Sequence, residues 1–340
     1  MLPGLPVVAV KLCGLCGSYP TFAVAYHRAA CQTAAMTSPS VLFRQRLQSN
    51  AVAVEATLAA ILSADTQAGE IARPERLLSA IRHGVLNGGK RLRPFLVMET
   101  AALFGEDFAG PALRVGAALE CIHCYSLVHD DLPAMDDDEL RRGQPTVHVA
   151  YDEATAILAG DSLLTLAFDI VAAPETTLAD RVKTALVLSL ARAAGIGGMA
   201  GGQALDLAAE QKAPDAAGIV TLQAMKTGAL IRFACEAGAI VADADAEARS
   251  LLRRYGETIG LAFQLADDLL DLTADAATMG KATGKDAARG KGTLVALNGQ
   301  NWAEERLNAL VGEAEALLVP FGERGAILVE TARFVANRRS

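Results

Sequence analysis

Two clusters of aspartates stand far apart in this sequence, and their spacing points to metal chemistry. The first, DDxxxxD, consists of Asp130, Asp131 and Asp136, and the second, DDxxD, consists of Asp267, Asp268 and Asp271. Crowded carboxylates repel one another, so a chain that gathers them twice usually has a cation to hold between them. Hard oxygen ligands of this kind suit Mg²⁺, which binds one or two carboxylates together with substrate phosphate oxygens. We therefore expect a site for a metal ion and a diphosphate rather than a solvated acidic run.

The second cluster has the spacing of one helix face. Residues three, four and seven positions apart lie on the same side of an α-helix. One face thus carries Gln264, Asp267, Asp268 and Asp271, and the opposite face carries Leu265, Leu269 and Leu272. The like-charge pair four residues apart destabilises the helix unless a cation is present. An exposed acidic face is the alternative, but the surrounding segment is too apolar for an outer helix.

Basic residues follow the first cluster closely. Pro133 is expected to end a helix after Asp131, and Arg141 and Arg142 come a few residues later. Arginine holds phosphate oxygens with two parallel hydrogen bonds. One stretch therefore offers carboxylates that could bind a metal ion and arginines that could bind a phosphate. A salt-bridged loop within the chain remains an alternative for the two arginines.

A glycine-rich turn offers a further anion site. Gly88 and Gly89 permit a tight turn and a close backbone approach. Lys90, Arg91 and Arg93 then open a helix whose N-terminus is already positive. Alone this signal is weak. It gains weight if the site also has to hold a second diphosphate without metal, because the turn would then supply the positive charge.

The rest of the sequence predicts one all-α domain. The chain has 340 residues, 52% of them apolar, and it is rich in Ala and Leu and poor in alternating strand patterns. Helices are expected over residues 40–64, 75–88, 92–105, 109–132, 150–172, 178–195, 215–240, 246–273, 300–318 and 322–337. Glycine and proline interrupt these segments. We predict a single-domain bundle of about ten helices around a central cavity, formed by residues 39–340.

Charge and hydropathy exclude two classes of partner. The net charge is −8, whereas a nucleic-acid-binding protein shows a basic stripe. No uninterrupted apolar stretch reaches the roughly 18–20 residues that a spanning helix needs. We expect a soluble chain with no nucleic-acid partner and no membrane span.

The six cysteines allow two interpretations. Cys13 and Cys16 form one CxxC pair and Cys121 and Cys124 another, with His123 inside the second. A zinc site is one interpretation. The favoured one is a pair of small buried thiols in a helix, and a large disulfide framework is not expected in a chain of this size.

The N-terminal segment differs from the remainder. No acidic residue precedes Glu55, whereas basic residues, Pro, Gly and Cys are scattered through the segment. A transit peptide is basic and acid-poor, which is one interpretation. A start site placed too far upstream of Met36 is the favoured one. Either way, residues 1–38 are expected to lie outside the fold as a disordered leader or a misassigned start.

Six segments together resemble a known family. ECIHCYSLVHDDLPAMDDDELRRG (120–143) resembles the first aspartate-rich motif of the trans-polyprenyl diphosphate synthases, most of all the bacterial members that make farnesyl diphosphate. The same family is matched in the same order by GGKRLRP (88–94), ILAGDSLLTLAF (157–168), GGMAGGQALDL (197–207), MKTGALI (225–231) and FQLADDLLD (263–271). The resemblance covers roughly residues 40–338, and such an ordered set is highly specific.

The resemblance implies an isoprenoid-synthase fold and a Mg²⁺-dependent head-to-tail prenyl transfer. Isopentenyl diphosphate would condense with dimethylallyl and then geranyl diphosphate to give farnesyl diphosphate. The implied metal ligands are Asp130, Asp131, Asp136, Asp267, Asp268 and Asp271, which would hold three Mg²⁺ per site, with Mn²⁺ as a substitute. Released pyrophosphate is the family's usual candidate base, so no side-chain base is assigned.

The resemblance also implies two diphosphate sites. Isopentenyl diphosphate would bind to Lys90, Arg93, His123 and Arg142. The allylic diphosphate would bind to Arg141, Lys226, Thr227, Gln264, Lys281 and Lys291. The role of Lys281 is open to confusion with the nearby Lys285. Leu294 and Val295 depart from the family's Tyr-Pro after Lys291, so an altered helix start is expected there.

Product length is expected to depend on the residues below the first cluster. Ser126 lies one helical turn below Asp130, and Tyr125 is next to it. A bulky ring at this wall would stop the chain at fifteen carbons. The alternatives are a geranylgeranyl or geranyl diphosphate synthase and a non-catalytic subunit of a heteromeric prenyl synthase. The family further implies a cytoplasmic homodimer, with organelle import as the alternative if residues 1–38 are a transit peptide.

Overall fold

The structure is a computed structural model that describes residues 38–278 and 293–337, and this part of the chain is almost entirely helical. The first helices are α1 (Pro39–Ile61), α2 (Glu75–Val85), α3 (Leu92–Ala102), α4 (Ala109–Asp130), α5 (Val147–Ala150), α6 (Glu153–Ala172) and α7 (Asp180–Ala194). The later ones are α8 (Met199–Gln211), α9 (Ala216–Gln223), α10 (Ala229–Val241), α11 (Ala246–Thr278), α12 (Leu294–Asn298), α13 (Gln300–Leu318) and α14 (Ala326–Ala336). Two short 3₁₀ segments, Glu106–Phe108 and Val319–Gly325, complete these connections. The predicted all-α fold is confirmed.

A single central helix organises the bundle. Every residue of α10 except Arg232 is buried, because α10 packs against α3, α7 and α11. A helix that is apolar on all sides belongs in a core. On one side of it, α4 runs along both α3 and α6, and on the other α13 and α14 pack on α11. The first aspartate cluster lies at the end of α4 and the second within α11, and the common neighbours of these helices in the bundle set the position of both.

Buried polar contacts fix the packing of these helices. The Tyr255 hydroxyl on α11 donates to the Leu328 carbonyl on α14 at 2.7 Å. Arg91, buried just before α3, forms an ion pair of 2.7 Å with the buried Glu120 on α4. Buried groups of this kind have to be paired, since an unpaired one costs about 1–3 kcal/mol or more. Arg91 is therefore a structural residue, although the sequence grouped it with the anion-binding cations.

A short hairpin is the only strand structure within the described residues. Leu140–Arg141 pairs antiparallel with Gln144–Pro145, and Arg142 and Gly143 form the two-residue turn. Both turn residues have positive φ, at 53° and 76°, as a type I′ turn requires. The predicted helix break at this Gly-Pro segment is a hairpin, and the side chains of its two arginines contact different neighbours.

Helix α8 was not predicted, because its sequence contains a run of glycines. Gly202 serves close packing rather than a chain break: a Cβ there would lie 2.1 Å from the backbone nitrogen of Lys226. One smaller prediction also differs from the structure, since Leu272 is exposed rather than packed inward. A short helix begins at Leu294, where an altered helix start was expected, and the Thr293 hydroxyl accepts from the Ala296 amide at 3.1 Å.

Two helical stretches, Glu153–Ala172 and Asp180–Gln211, have the length and apolar composition that crossing a membrane needs. The second is interrupted by turns between α7 and α8. The first packs along α4 within the bundle. Apolar core helices of a globular bundle show the same composition.

Candidate active site

A cavity of about 380 Å³ opens beside the first aspartate cluster. Its walls come from α3, α4, α8 and the turn that follows α9. The residues that line it are Arg93, His123, Tyr125, Ser126, Leu127, His129, Asp130, Met135, Met199, Ala200, Gln203, Ala204, Leu207, Lys226 and Thr227. Seven of the predicted site residues meet here: Arg93, His123, Tyr125, Ser126, Asp130, Lys226 and Thr227. The remaining wall is largely apolar, so the cavity combines charged groups with an apolar surface.

The first cluster is built by local geometry at the end of α4. The helix ends at Asp130, one residue before the end after Asp131 that Pro133 predicted. The chain then folds back, and the backbone amide of Asp136 donates to the carbonyl of Asp130 at 2.8 Å. This turn brings the third aspartate of DDxxxxD next to the first pair.

Charge is concentrated at this turn. Burial, the charge of Asp136 and that of Asp131 raise the pKa of Asp130 to about 6, while Lys226 acts in the opposite direction. Burial also raises the pKa of Asp131, against the effect of Arg141. Carboxylates that raise one another's pKa destabilise the folded chain at neutral pH. A divalent cation would relieve this repulsion.

The two arginines of the hairpin have separate tasks. Arg141 donates to both oxygens of the buried Asp131, from Nε at 2.7 and 3.0 Å and from Nη2 at 2.5 Å. Arg142 donates to the Asn87 side chain at 2.9 Å and to the carbonyl of Gly88. Arg141 is the last residue of its strand and Arg142 the first residue of the turn, with a φ of 53°, and they reach the aspartate cluster and the glycine-rich turn respectively.

The glycine-rich turn forms a positively charged corner with Arg142. Gly89 has a φ of 124°, which favours glycine, and a Cβ there would lie 2.7 Å from the Arg142 guanidinium, so this side chain packs directly against the turn. Arg93 approaches the His123 ring at 3.4 Å. Burial and the guanidinium groups of Arg93 and Arg142 lower the pKa of His123 well below its usual range. The ring is thus neutral beside two cations, which suits an incoming anion.

Lys90 is not among the residues that line the cavity. Its ammonium is exposed and stands 5.9 Å from the centre of the Phe334 ring. The Nε atom of Arg93, by contrast, is buried and has no hydrogen-bond partner. Arg93 itself lines the cavity, and its guanidinium is a planar donor that suits phosphate oxygens. Arg93 is the best supported of the predicted anion-binding cations.

A π-helical turn, Ala224–Gly228, presents Lys226 and Thr227 to the cavity. The sequence predicted an uninterrupted helix over this region. Single π-turns inside helices are frequent at functional sites, because the extra residue changes the direction of the side chains. The Lys226 ammonium forms an ion pair of 2.7 Å with Asp206 on α8. This contact fixes the lysine at the edge of the cavity.

The second cluster lies on α11, across from these groups. Burial lowers the pKa of Arg93, and the charge of Asp267 acts against that shift. Because Arg93 lines the cavity, the second cluster acts electrostatically on a residue of the cavity wall. Asp268 accepts a hydrogen bond of 3.0 Å from Gln223. Gln264 is half-buried on the same helix, four residues before Asp268. The side chain of Asp271 and the whole of Lys281, Lys285 and Lys291 lie outside the described residues.

The donors fit a hard divalent cation. Among the side chains in the described ranges, no three aspartate, glutamate, histidine or cysteine groups converge enough to hold a metal by themselves. Carboxylates from both clusters nevertheless act on one cavity, and Asp130 there has its pKa raised by burial and by its acidic neighbours. Mg²⁺ typically takes one or two carboxylates and completes its coordination shell with water and phosphate oxygens. A site with few protein ligands therefore suits it.

The cysteines of α4 give no sign of metal chemistry. Cys121 and Cys124 are fully buried, and burial raises the pKa of Cys124 to about 12. A thiol rather than a thiolate is therefore present at neutral pH, and thiolate is the metal ligand. The favoured interpretation of this CxxC pair as buried core thiols agrees with its position. Cys13, Cys16 and Cys31 lie outside the described residues.

Sequence reasoning missed three polar residues at the site. Gln203 is 8% exposed, lines the cavity and has no partner for either atom of its amide. Asp206 holds Lys226, and Gln223 contacts Asp268. The first two belong to a motif that matched the family, GGMAGGQALDL, but the glycines in it hid the helix. Gln223 gives no sequence signal, since nothing in its surroundings predicts a partner on α11.

Comparisons with known proteins agree with this geometry. A family model described as "Polyprenyl synthetase" matches residues 74–316. Farnesyl diphosphate synthase of Escherichia coli is 48% identical over 253 residues, which is 73% of this chain and 83% of that protein. A chloroplastic geranylgeranyl pyrophosphate synthase of Arabidopsis thaliana is 40% identical over 79% of this chain and 76% of its own length. The crystal structure of an FPP/GFPP synthase from Zymomonas mobilis superposes with a TM-score of 0.78 at 42% identity, covering 87% of this chain and 99% of that one.

Proposed function

The chain belongs to the polyprenyl synthetase family, and we propose that it is a prenyltransferase that makes farnesyl diphosphate. Isopentenyl diphosphate condenses head to tail with dimethylallyl diphosphate and then with geranyl diphosphate. The observation that carries this proposal is the cavity itself, which Asp130, Arg93 and Lys226 line together with a largely apolar wall. Curated farnesyl diphosphate synthases such as that of Escherichia coli add support at 48% identity.

The allylic diphosphate binds at the acidic end of the cavity. The aspartates of both clusters hold Mg²⁺ there, and the bound metal supplies Lewis acidity to the diphosphate leaving group. Lys226 and Thr227 face this position from the π-turn and add positive charge and a hydroxyl donor. Donors already in place stabilise the charge that grows on the diphosphate as the carbon–oxygen bond breaks. Arg141 contributes by fixing Asp131, and Gln264, Lys281 and Lys291 are further proposed ligands.

Isopentenyl diphosphate binds in the positively charged corner, without metal. Arg93, His123 and Arg142 form its centre, and Lys90 closes it from the exposed side. The neutral His123 ring donates or accepts a hydrogen bond without adding repulsion between cations. The five-carbon unit of the homoallylic substrate then points into the cavity toward the allylic carbon. The apolar wall excludes water, which would otherwise trap the carbocation.

Tyr125 and Ser126 form the wall that sets product length. Both residues line the cavity, one turn below Asp130 on α4. The Tyr125 ring lies 5.9 Å from that of His129, centre to centre and edge to face. This pair of rings supports the wall against the growing chain. Replacing Tyr125 with Ala removes the ring and is expected to lengthen the product beyond fifteen carbons.

A geranylgeranyl diphosphate synthase is the second candidate. The observation in its favour is the 40% identity to the Arabidopsis geranylgeranyl pyrophosphate synthase. The bulky Tyr125 wall favours the shorter product. The role of a non-catalytic subunit receives no support from the site, which retains Asp130, Asp267 and Asp268 together with the cations that face them.

A cytoplasmic homodimer is the proposed form of the enzyme. Helices α6 and α7 expose the apolar side chains of Ile157, Leu158 and Leu188. Apolar side chains exposed along adjacent helices commonly mark a protein interface. A second copy of the chain is the proposed occupant, and the oligomeric state in solution tests it.

Product analysis tests the proposal directly. Purified protein is mixed with Mg²⁺, isopentenyl diphosphate and dimethylallyl diphosphate, and the products are separated by chain length. A fifteen-carbon diphosphate is expected as the main product, with longer chains from Tyr125→Ala. Twenty carbons from the parent enzyme would keep the chemistry and reject the Tyr125 wall. No condensation by a folded protein would reject the proposed function.

A further inference from the structure

Gln223 connects the turn that carries Lys226 to the second aspartate cluster. It is the last residue of α9 and is only 7% exposed. Its amide nitrogen Nε2 donates to Oδ2 of Asp268 on α11, 45 residues further along the chain, at 3.0 Å. Its Oε1 atom is buried without a partner. The amide therefore reaches one cluster of the site from an element outside it.

The position of Gln223 explains this reach. Gln223 lies immediately before the π-helical turn Ala224–Gly228, which carries Lys226 and Thr227 three and four residues further along. Lys226 extends from that turn to Asp206 on α8, whereas Gln223 extends to α11. One short segment thus contacts both Asp206, through Lys226, and the second aspartate cluster, through Gln223.

We propose that Gln223 is a positioning residue that holds the Asp268 carboxylate in its metal-facing orientation. This inference rests on the proposed function, since it deepens the account of the same site. Partners that orient metal ligands through a hydrogen bond control metal affinity without touching the metal. The neutral amide is suited to this task because it orients Asp268 without cancelling its charge. Arg141 differs in this respect, since its cation neutralises Asp131.

A purely structural role does not account for an amide at this position. Leaving the buried Oε1 without a partner costs on the order of 1–3 kcal/mol. A methionine of similar size would pack in the same space without that cost. The polar side chain is therefore explained by what Nε2 does for Asp268 rather than by packing.

The test measures Mg²⁺ binding rather than turnover. Wild type, Gln223→Met, Gln223→Asn and Gln223→His are titrated with Mg²⁺ at a fixed concentration of inorganic pyrophosphate, and thermal stabilisation is recorded. Met removes the donor, and Asn keeps the amide but is one methylene too short to reach Asp268. We expect both to raise the Mg²⁺ concentration for half-maximal stabilisation about tenfold. His presents an N–H donor and is expected to recover most of the affinity.

The control is Thr331→Val on α14, which removes a buried hydroxyl that donates to the Ile327 carbonyl at 2.7 Å. It is expected to lower the unfolding temperature and leave the Mg²⁺ midpoint unchanged. Midpoints for Met and Asn within twofold of wild type would overturn the positioning role, as would a His variant no better than Met. Should Met fail to fold, Asn carries the same decision. Product analysis of the wild type is separate: Mg²⁺ midpoints that shift in a protein without prenyl transfer would reject the function and keep the role of Gln223.

Discussion

The two aspartate clusters are held by different means. In the first cluster, Arg141 contacts Asp131 across only ten residues of sequence. The separation is short because a helix end, a turn and a hairpin follow one another directly. The second lies in the middle of a long helix, and its contact from Gln223 crosses 45 residues. The first cluster is therefore built by local structure and the second by the packing of the bundle.

The partners also differ in charge. Arg141 offsets the charge of Asp131 within the protein, whereas the amide of Gln223 leaves that of Asp268 available. Asp130 has its pKa raised to about 6, with burial as the largest cause. The negative charge that a metal has to balance is thus concentrated on Asp130 and on the second cluster. Predictions that separate these groups test this division.

The largest effect is expected from removing one of the unbalanced carboxylates. Asp130→Asn and Asp267→Asn should each lower kcat by roughly 10²–10³-fold, as loss of a major charge-stabilising group does. Asp131→Asn should cost less, because Arg141 already offsets that charge. Steady-state kinetics at saturating Mg²⁺ measures this. The exposed Glu304→Gln on α13 is the control, and equal losses for Asp130→Asn and Asp131→Asn would contradict the division.

The second effect is on stability without metal. The folded pKa of Asp130, about 6, is above the value near 3.9 of an unfolded chain. The folded state therefore binds the proton more tightly, and this favourable contribution is lost as pH rises from about 4 to 6. Asp130→Asn should be more stable than wild type at pH 7.5 in EDTA by on the order of 1–3 kcal/mol, and nearly equal to it at pH 4.

Urea unfolding at the two pH values measures this difference. Adding Mg²⁺ and pyrophosphate at pH 7.5 should stabilise the wild type and close the gap to Asp130→Asn. A variant less stable than wild type at pH 7.5 in EDTA would show that Asp130 is not a source of strain.

The smallest effect concerns the local pair. Arg141→Met leaves the buried Asp131 without its cation and should lower stability by about 1–2 kcal/mol, which is below the 3–5 kcal/mol of a fully buried pair because Arg141 is partly exposed. The double variant Asp131→Asn with Arg141→Met should recover most of that loss. A double-mutant cycle in urea measures the coupling, and additive losses would rule out the pair as the organiser of the first cluster.

Much of this site was predictable because its signals are short-range. The DDxxxxD turn, the stop at the end of α4 and the DDxxD helix face follow from spacing and from Pro133. Helices α1–α4, α6, α7, α11, α13 and α14 were each expected within a few residues of their ends, whereas the single helix expected over 215–240 is divided into α9, a π-turn and α10. Helix α8 escaped prediction, since its glycines are signals of a break in the chain and of close packing alike.

The sequence by itself determined that the protein is helical, that it carries two aspartate clusters and which family it resembles. Local periodicity and residue spacing encode these properties directly. Tertiary structure alone decided that Arg91 belongs to Glu120, that Arg141 and Arg142 separate, and that Gln223 reaches Asp268. These outcomes depend on which helices become neighbours, and that is set by the burial of apolar faces over the whole chain rather than by any segment of it.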